Sequence, residues 1–243
     1  MLGLLDEETI KLYAPRGNYK KIQTKYSTRI ETRSSVLLWG SNFIGRSLLG
    51  IMGQLRAHVK KNMKEGRVTK TDWIPKYTRT SEWRRRSKSC EIDLTAAYTS
   101  AALKIGAINL KMFKRLMKLH KKTRLIAVGS LGTQRMVSTF RNGRAISMKK
   151  EEEETRWVWL SIVAEVDKTM HDLMKEAGPD FRYYWFDGIF VRQGAEKRIQ
   201  AKAAQLGYGT KKKYILTNRT FQQFKTSDGR NFPVMRLGGL TAP

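Results

Sequence analysis

The chain has 243 residues, 40% hydrophobic and 28% charged, enough to bury a sizeable core as one large domain or two small ones. Its 48 Lys and Arg against 21 Asp and Glu give a formal charge of +27, which fits a folded protein with a basic surface that seeks nucleic acid or an anionic membrane. One Cys and three His exclude an internal disulfide framework and argue against structural zinc; with no long apolar run or secretory signal, the chain reads as cytoplasmic and not membrane-spanning.

The segment SSVLLWG (34–40) reads as a short buried strand. NFIGRSLLGIMGQLRAHVKKNMKEG (42–66) has helical spacing, with Ile44, Leu48, Ile51, Leu55 and Val59 sharing a face despite the cost of its glycines. Residues 67–90, which include RRRSK, read as a basic exposed connection. Its Trp73, Tyr77 and Trp83 either stack on bases or plug the edge of a domain.

CEIDLTAAYTSAAL (90–103) begins as a strand and turns helical. The spacing predicts a helix over Leu103–Leu119: Ile105, Ile108, Met112, Leu116 and Leu119 form an apolar stripe, and Lys111, Lys114, Arg115, Lys118 and Lys122 lie largely off it. A basic amphipathic helix also suits a membrane surface or a calmodulin-like partner, but its place in an aromatic-rich folded chain favours core packing with a wet basic face. Charge is uneven here. Between Leu94 and Lys150 there is no acid and there are 13 Lys or Arg, a pattern that fits a track for phosphates unless acids from elsewhere pack around it.

IAVGSLGTQ (126–134) reads as a loop and RNGRA (141–145) as the turn of a hairpin. Glu151–Glu154 suit the first turn of a helix, where carboxylates meet unpaired amides, and its apolar positions are Leu160, Val163, Val166, Met170 and Leu173. Gly178-Pro179 stops it. RYYWFDGIFVR (182–192) reads as a hairpin closed at Asp187-Gly188, AEKRIQAKAAQLG (195–207) as a short helix, KKKYILT (211–217) as a strand and RLGGLTAP (236–243) as a tail. From Cys90 onward this is the rhythm of an α+β layer with helices packed behind an antiparallel sheet.

Two carboxylates stand out, Asp93 at the end of a strand and Asp187 at a hairpin tip. Asp187 is either a turn residue or a metal ligand. If the two strands are neighbours, both acids approach one point, where a divalent cation would keep them ionised. Oxygen ligands favour Mg²⁺, and a two-metal site is the usual device for phosphoryl transfer. Glu91, two residues before Asp93, would share its strand face, as an outer carboxylate or as the partner of a nearby Lys.

Three motifs in order give a resemblance. DLTAAYTS (93–100) resembles the Asp-x-x-Ser-Leu-Tyr-Pro-Ser motif of family B DNA polymerases, matching at Asp93, Tyr98 and Ser100 and departing at Ala96, Ala97 and Thr99. RLIAVGSLG (124–132) resembles the fingers pattern Lys-x-x-x-Asn-Ser-x-Tyr-Gly, with Arg124 in the lysine place and Gly132 kept. YYWFDG (183–188) resembles Tyr-Gly-Asp-Thr-Asp-Ser, with the second acid kept as Asp187 and the first replaced by Trp185.

The resemblance implies a palm-like antiparallel sheet backed by helices, with a basic fingers-like insert, over 88–217. It implies Mg²⁺ or Mn²⁺ on Asp93 and Asp187. The backbone at Leu94 and Thr95 would approach a dNTP triphosphate, Tyr98 would lie under the sugar, and Arg124, Lys121 or Lys122 would grip phosphate. Lys211, Lys212 or Lys213 would touch a primer backbone, and Lys111, Lys114 and Lys118 would add nucleic-acid contacts. Residues 1–87 are too few for an exonuclease, and 218–243 hold at most a thumb remnant. Expected partners are therefore DNA or RNA, a dNTP, and replication or virion proteins that supply missing parts.

The alternatives are a non-catalytic descendant that binds nucleic acid in a virion or replication complex, and an unrelated basic RNA-binding or ribosome-associated protein. The last would leave Asp93 and Asp187 on separate surfaces.

Overall fold

The computed structural model describes residues 7–24, 27–40, 46–76, 78–80, 89–215, 221–225 and 231–235. In chain order the elements are α1 (Glu7–Tyr13), β1 (Tyr19–Gln23), β2 (Ser27–Glu31), β3 (Val36–Gly40), α2 (Arg46–Lys64), β4 (Thr78–Thr80), β5 (Ser89–Leu94) and α3 (Ala97–Lys104). There follow α4 (Leu110–Met117), α5 (Lys121–Gly129), β6 (Gln134–Arg141), β7 (Arg144–Glu152), α6 (Arg156–Ala177), β8 (Phe181–Trp185) and β9 (Gly188–Arg192). The last are α7 (Glu196–Gln205), β10 (Thr210–Ile215), β11 (Phe221–Lys225) and β12 (Asn231–Met235). The architecture is α+β with antiparallel sheets, and no described helix is long and apolar enough to cross a membrane. Two compact units interleave along the chain, Met1–Thr71 with Ala101–Val163 and Asp72–Ser100 with Ala164–Pro243, whereas the sequence-based boundaries at 87/88 and 217/218 cut it in series.

The first unit holds a five-stranded sheet in the order β3-β2-β1-β6-β7. Helix α2 forms where the spacing predicts it and buries Leu48, Met52, Leu55 and Val59. Met52 takes the inward place expected for Ile51, and Ile44 lies outside the described residues. The β6–β7 hairpin turns at Asn142 and Gly143, with φ of +48° and +75°, the left-handed pair that a two-residue hairpin loop requires.

Four expectations fail in this unit. The buried strand expected at 34–40 forms as β3, but at the edge of the sheet with Val36 and Leu38 exposed. The single helix over Leu103–Leu119 is two helices, α3 and α4. Gly106 has φ +75° and lies so close to the Arg67 carbonyl that a side chain there would collide with it. Asn109 then restarts the helix by accepting the Met112 N–H at 2.9 Å. The loop expected at 126–134 is largely helical, since α5 runs to Gly129 and a 3₁₀ turn covers Ser130–Gly132.

Glu151–Glu154 do not open a helix. Glu151 and Glu152 close β7, and α6 begins at Arg156. Arginine partners outweigh the preference of acids for a helix start. Arg135 Nη2 lies 3.0 Å from Glu151, and the buried Glu153 lies 3.7 Å from Arg135 and 3.9 Å from Arg56. A 2.9 Å contact with Lys60 holds the Glu154 carboxyl below its ordinary range.

The second unit holds a sheet in the order β10-β5-β9-β8-β4. Between β5 and β8 the chain passes through α6, and between β9 and β10 through α7. With β9 antiparallel to both β5 and β8, this is the connectivity of the split β-α-β motif. The expected hairpin at 182–192 forms as β8–β9 and the helix at 195–207 as α7, which packs on β5 and β10. The strand expected at 211–217 forms over Thr210–Ile215, its last two positions lying outside the described residues. On α6, Val166, Met170 and Leu173 are buried as expected, but Leu160 is exposed because the buried stripe runs through Val158 and Ile162 instead.

Cys90, Ile92 and Leu94 are buried on β5. Burial first, and then Glu196, pushes the Cys90 thiol above its ordinary range. Iodoacetamide should therefore leave Cys90 unmodified in the native protein and alkylate it after denaturation, as intact-mass spectrometry would show. Native-state labelling would mean that β5 is not central.

Asp167 on α6 is a polar anchor, only 3% exposed. It accepts Trp73 Nε1–H at 2.7 Å, the Lys76 amide at 3.0 Å and the Tyr184 hydroxyl at 3.2 Å. Trp73, left open between base stacking and packing, also lies tilted against His171 with ring centroids 5.1 Å apart, so it is a packing residue. Tyr77, Trp83, RRRSK and the tail RLGGLTAP lie outside the described residues.

Candidate functional site

The site is built on the middle of the second unit's sheet. In the antiparallel register Asp93 on β5 faces Gly188 on β9, and the Leu94 amide donates to the Asp187 carbonyl at 2.9 Å. Two acids 94 positions apart by number thus come from touching strands. Their local sequence runs against strand formation. Asp and Gly are both depleted in strands, yet the two face each other where the inner strands β5 and β9 meet the hairpin loop.

The fit explains the glycine. A Cβ added at Gly188 would lie 2.7 Å from Asp93 Oδ1, so the Asp93 carboxylate leans across the strand pair into space that only glycine leaves open. Asp93 is exposed and Asp187 half-buried. Among the described residues the Asp93 carboxylate makes no hydrogen bond or ion pair, which leaves both oxygens for a solvent ion or substrate. Gly188→Ala should displace this carboxylate while leaving the strands paired, because the obstructing atom is the end of a side chain. Thermal melting almost unchanged is the expected reading, and a large drop would show that the strand pair itself needs this glycine.

The hairpin tip departs from the sequence reading. The loop consists of Phe186 and Asp187, and Gly188 is already the first residue of β9. Phe186 carries φ +53°, at a loop position that usually goes to glycine. Just after Asp93, Ala96 carries φ +52°. Each acid therefore stands within three residues of a non-glycine held in the left-handed region, a strain that proteins concentrate at functional sites.

Paired residues point to the same side of a sheet. Lys211 on β10 faces Asp93, and Lys213 faces Glu91. Both lysines are exposed, and so is Lys212, which faces Ile92. One row of the sheet thus reads Lys211, Asp93, Gly188, Trp185, and no ion pair joins Lys211 to Asp93 among the described residues. Glu91 is half-buried beside this row.

Two expected contacts are already engaged in the fold. The Leu94 amide is held by Asp187, and the Thr95 amide donates to the Gly209 carbonyl at 2.7 Å. Neither N–H is left to meet a triphosphate. Tyr98 lies half-buried on the first turn of α3.

The remaining candidates belong to the first unit. Lys111, Lys114 and Lys118 at α4, and Lys121 and Lys122 on α5, are all exposed and make no ion pair among the described residues. The acids that return after Lys150 therefore do not neutralise this part of the acid-free segment. Arg124 is half-buried, and its Nε finds no hydrogen-bond partner.

Sequence reasoning missed Gly188, Ala96 and Phe186 as parts of the site. A glycine at a strand position could have flagged Gly188, and no sequence signal marks Ala96 or Phe186. Among the described residues no group of three or more His, Cys, Asp or Glu converges to cage a metal. Two carboxylates still suit Mg²⁺, which is commonly held by one or two acids together with substrate phosphates and water. No family model, curated protein or solved structure matches the chain.

Proposed function

We propose that the second unit carries a template-directed nucleotidyl-transfer centre of the DNA-polymerase kind, in which Asp93 and Asp187 hold divalent Mg²⁺ or Mn²⁺. The observation that carries this reading is the β5–β9 register, with Asp93 opposite Gly188 and Leu94 bonded to Asp187. In the reaction a strand's 3′-hydroxyl oxygen bonds to the α-phosphorus of a dNTP as the bond to pyrophosphate breaks. When bound, the cations supply Lewis acidity to the attacking and leaving oxygens.

The chain's own residues supply the rest. Asp93 offers a carboxylate fixed by strand pairing that makes no ion pair among the described residues, and Asp187 brings its own carboxylate from a two-residue loop. Lys211 brings positive charge to the same row, which favours a phosphate beside the acids. Tyr98 follows as the sugar-facing residue that the sequence resemblance implies. The exposed lysines of α4 and α5 form a track that would bind a nucleic-acid backbone with strong salt dependence.

A second reading has its own support. Trp185 stands where a further acid would be expected, and the Leu94 and Thr95 amides are engaged. These features favour a non-catalytic protein that binds nucleic acid within a virion or replication complex. Incorporation of a labelled dNTP into primed DNA or RNA templates separates the two. Transfer that requires Mg²⁺ or Mn²⁺ and stops with chelator is the expected result, and tight binding with no incorporation under either metal would select the second reading.

A further inference from the structure

The geometry points to a base-stacking platform at the tip of the β8–β9 hairpin, formed by Trp185 and Phe186, that takes an unpaired base of a single nucleic-acid strand. This rests on the proposed function only for the fate of the strand; the binding itself needs no turnover. The two rings lie 5.6 Å apart at an interplanar angle of 36°, and Trp185 is 48% and Phe186 40% exposed. The other aromatic residues of β8 and β9, Phe181, Tyr183, Tyr184 and Phe190, are buried. The core therefore takes the aromatic surface it needs and leaves two large rings partly exposed at the tip. Phe186 is moreover held at φ +53°, a conformation that a bulky residue adopts only at a cost. Glycine at this place would close the loop without strain, so the ring itself is what the position retains.

The occupant follows from the surroundings. Trp185 stands in the row that contains Gly188, Asp93 and Lys211, with Thr78 of the short edge strand β4 on its other side. Three strand spacings separate Trp185 from Lys211, about 14 Å, a distance that a few nucleotides bridge. A strand laid along the row would stack a base at the tip, pass its backbone over Asp93 and Gly188, and bring a phosphate to Lys211. Every base has a face to stack on, so the platform would be tolerant of sequence. An acidic peptide would use the lysines but not the rings, and an apolar partner would meet an exposed carboxylate and lysines beside them.

The test compares a short oligothymidylate with an abasic oligomer of equal length and charge, by fluorescence anisotropy in the presence of chelator. The wild-type protein should prefer the oligothymidylate by about tenfold. Trp185→Ala and Phe186→Gly should each lower its affinity for the oligothymidylate about five- to tenfold and leave abasic binding unchanged, while Trp185→Phe keeps most of the preference. Phe186→Gly should also raise the melting temperature by releasing the left-handed strain, so its loss of affinity is not a loss of fold. Equal wild-type affinity for the two oligomers, or unchanged oligothymidylate binding in both Trp185→Ala and Phe186→Gly, would overturn the proposal. A wild-type protein that prefers the oligothymidylate but incorporates no dNTP with Mg²⁺ or Mn²⁺ would sink the catalytic reading and leave the platform standing.

Discussion

Asp93→Asn and Asp187→Asn are each expected to reduce metal-dependent dNTP incorporation by about 10³-fold while keeping affinity for single-stranded oligonucleotides. Asp93 gives the sharper test. Its carboxylate is exposed, and among the described residues it makes no hydrogen bond or ion pair, so folding draws nothing from its charge. Asparagine keeps the size that fits over Gly188 and removes only the charge. The change in stability should stay within about 0.5 kcal/mol, the range for surface substitutions without a special partner. A large kinetic loss with an unchanged melting curve would assign Asp93 a chemical role. Incorporation that survives Asp187→Asn would refute the mechanism, whatever happens at Asp93.

The second large effect concerns stability. Asp167→Ala should destabilise the protein by about 3 kcal/mol, because it deprives three donors of their acceptor at once. Those donors are the Trp73 indole N–H, the Lys76 amide and the Tyr184 hydroxyl. Trp73→Phe keeps a ring beside His171 and removes one donor, and should cost about 1 kcal/mol. Equilibrium urea unfolding monitored by circular dichroism measures both. A cost for Asp167→Ala below that of Trp73→Phe would show that the buried carboxylate does not organise these segments. Tyr184 lies on β8, directly before Trp185 and the Phe186–Asp187 loop. Asp167→Ala should therefore also weaken incorporation beyond what the unfolded fraction explains, and Asp167→Asn should recover part of it.

Local codes were legible. Asn142-Gly143 announces a two-residue hairpin loop, the Asp-Gly pair inside the apolar run RYYWFDGIFVR announces another, and AEKRIQAKAAQLG carries a helix with its glycine stop. Failures came where a distant partner decides. The break at Gly106 is set by the approach of the Arg67 carbonyl, which no periodicity in Leu103–Leu119 reveals. Glu151–Glu154 resemble a helix start in isolation, but Arg135, Arg56 and Lys60 redirect them.

At the site, the types and order of the acids could be read and their adjacency could not, since it depends on the register of β5 against β9. Asp187-Gly188 looked like the loop because that dipeptide favours tight turns. The close approach of the Asp93 carboxylate gives Gly188 another reason to be glycine, and the loop shifts back onto Phe186.

The central place of β5 bears on how the protein is made. Its two neighbours β9 and β10 are synthesised about a hundred residues after it, so a ribosome exposes Cys90, Ile92 and Leu94 with both edges of their strand bare for several seconds of elongation. Long-range closure of this sort is slow and invites mispairing between nascent chains. Heterologous production should accordingly gain more soluble material from cooler growth and co-expressed chaperones than from any change to the surface.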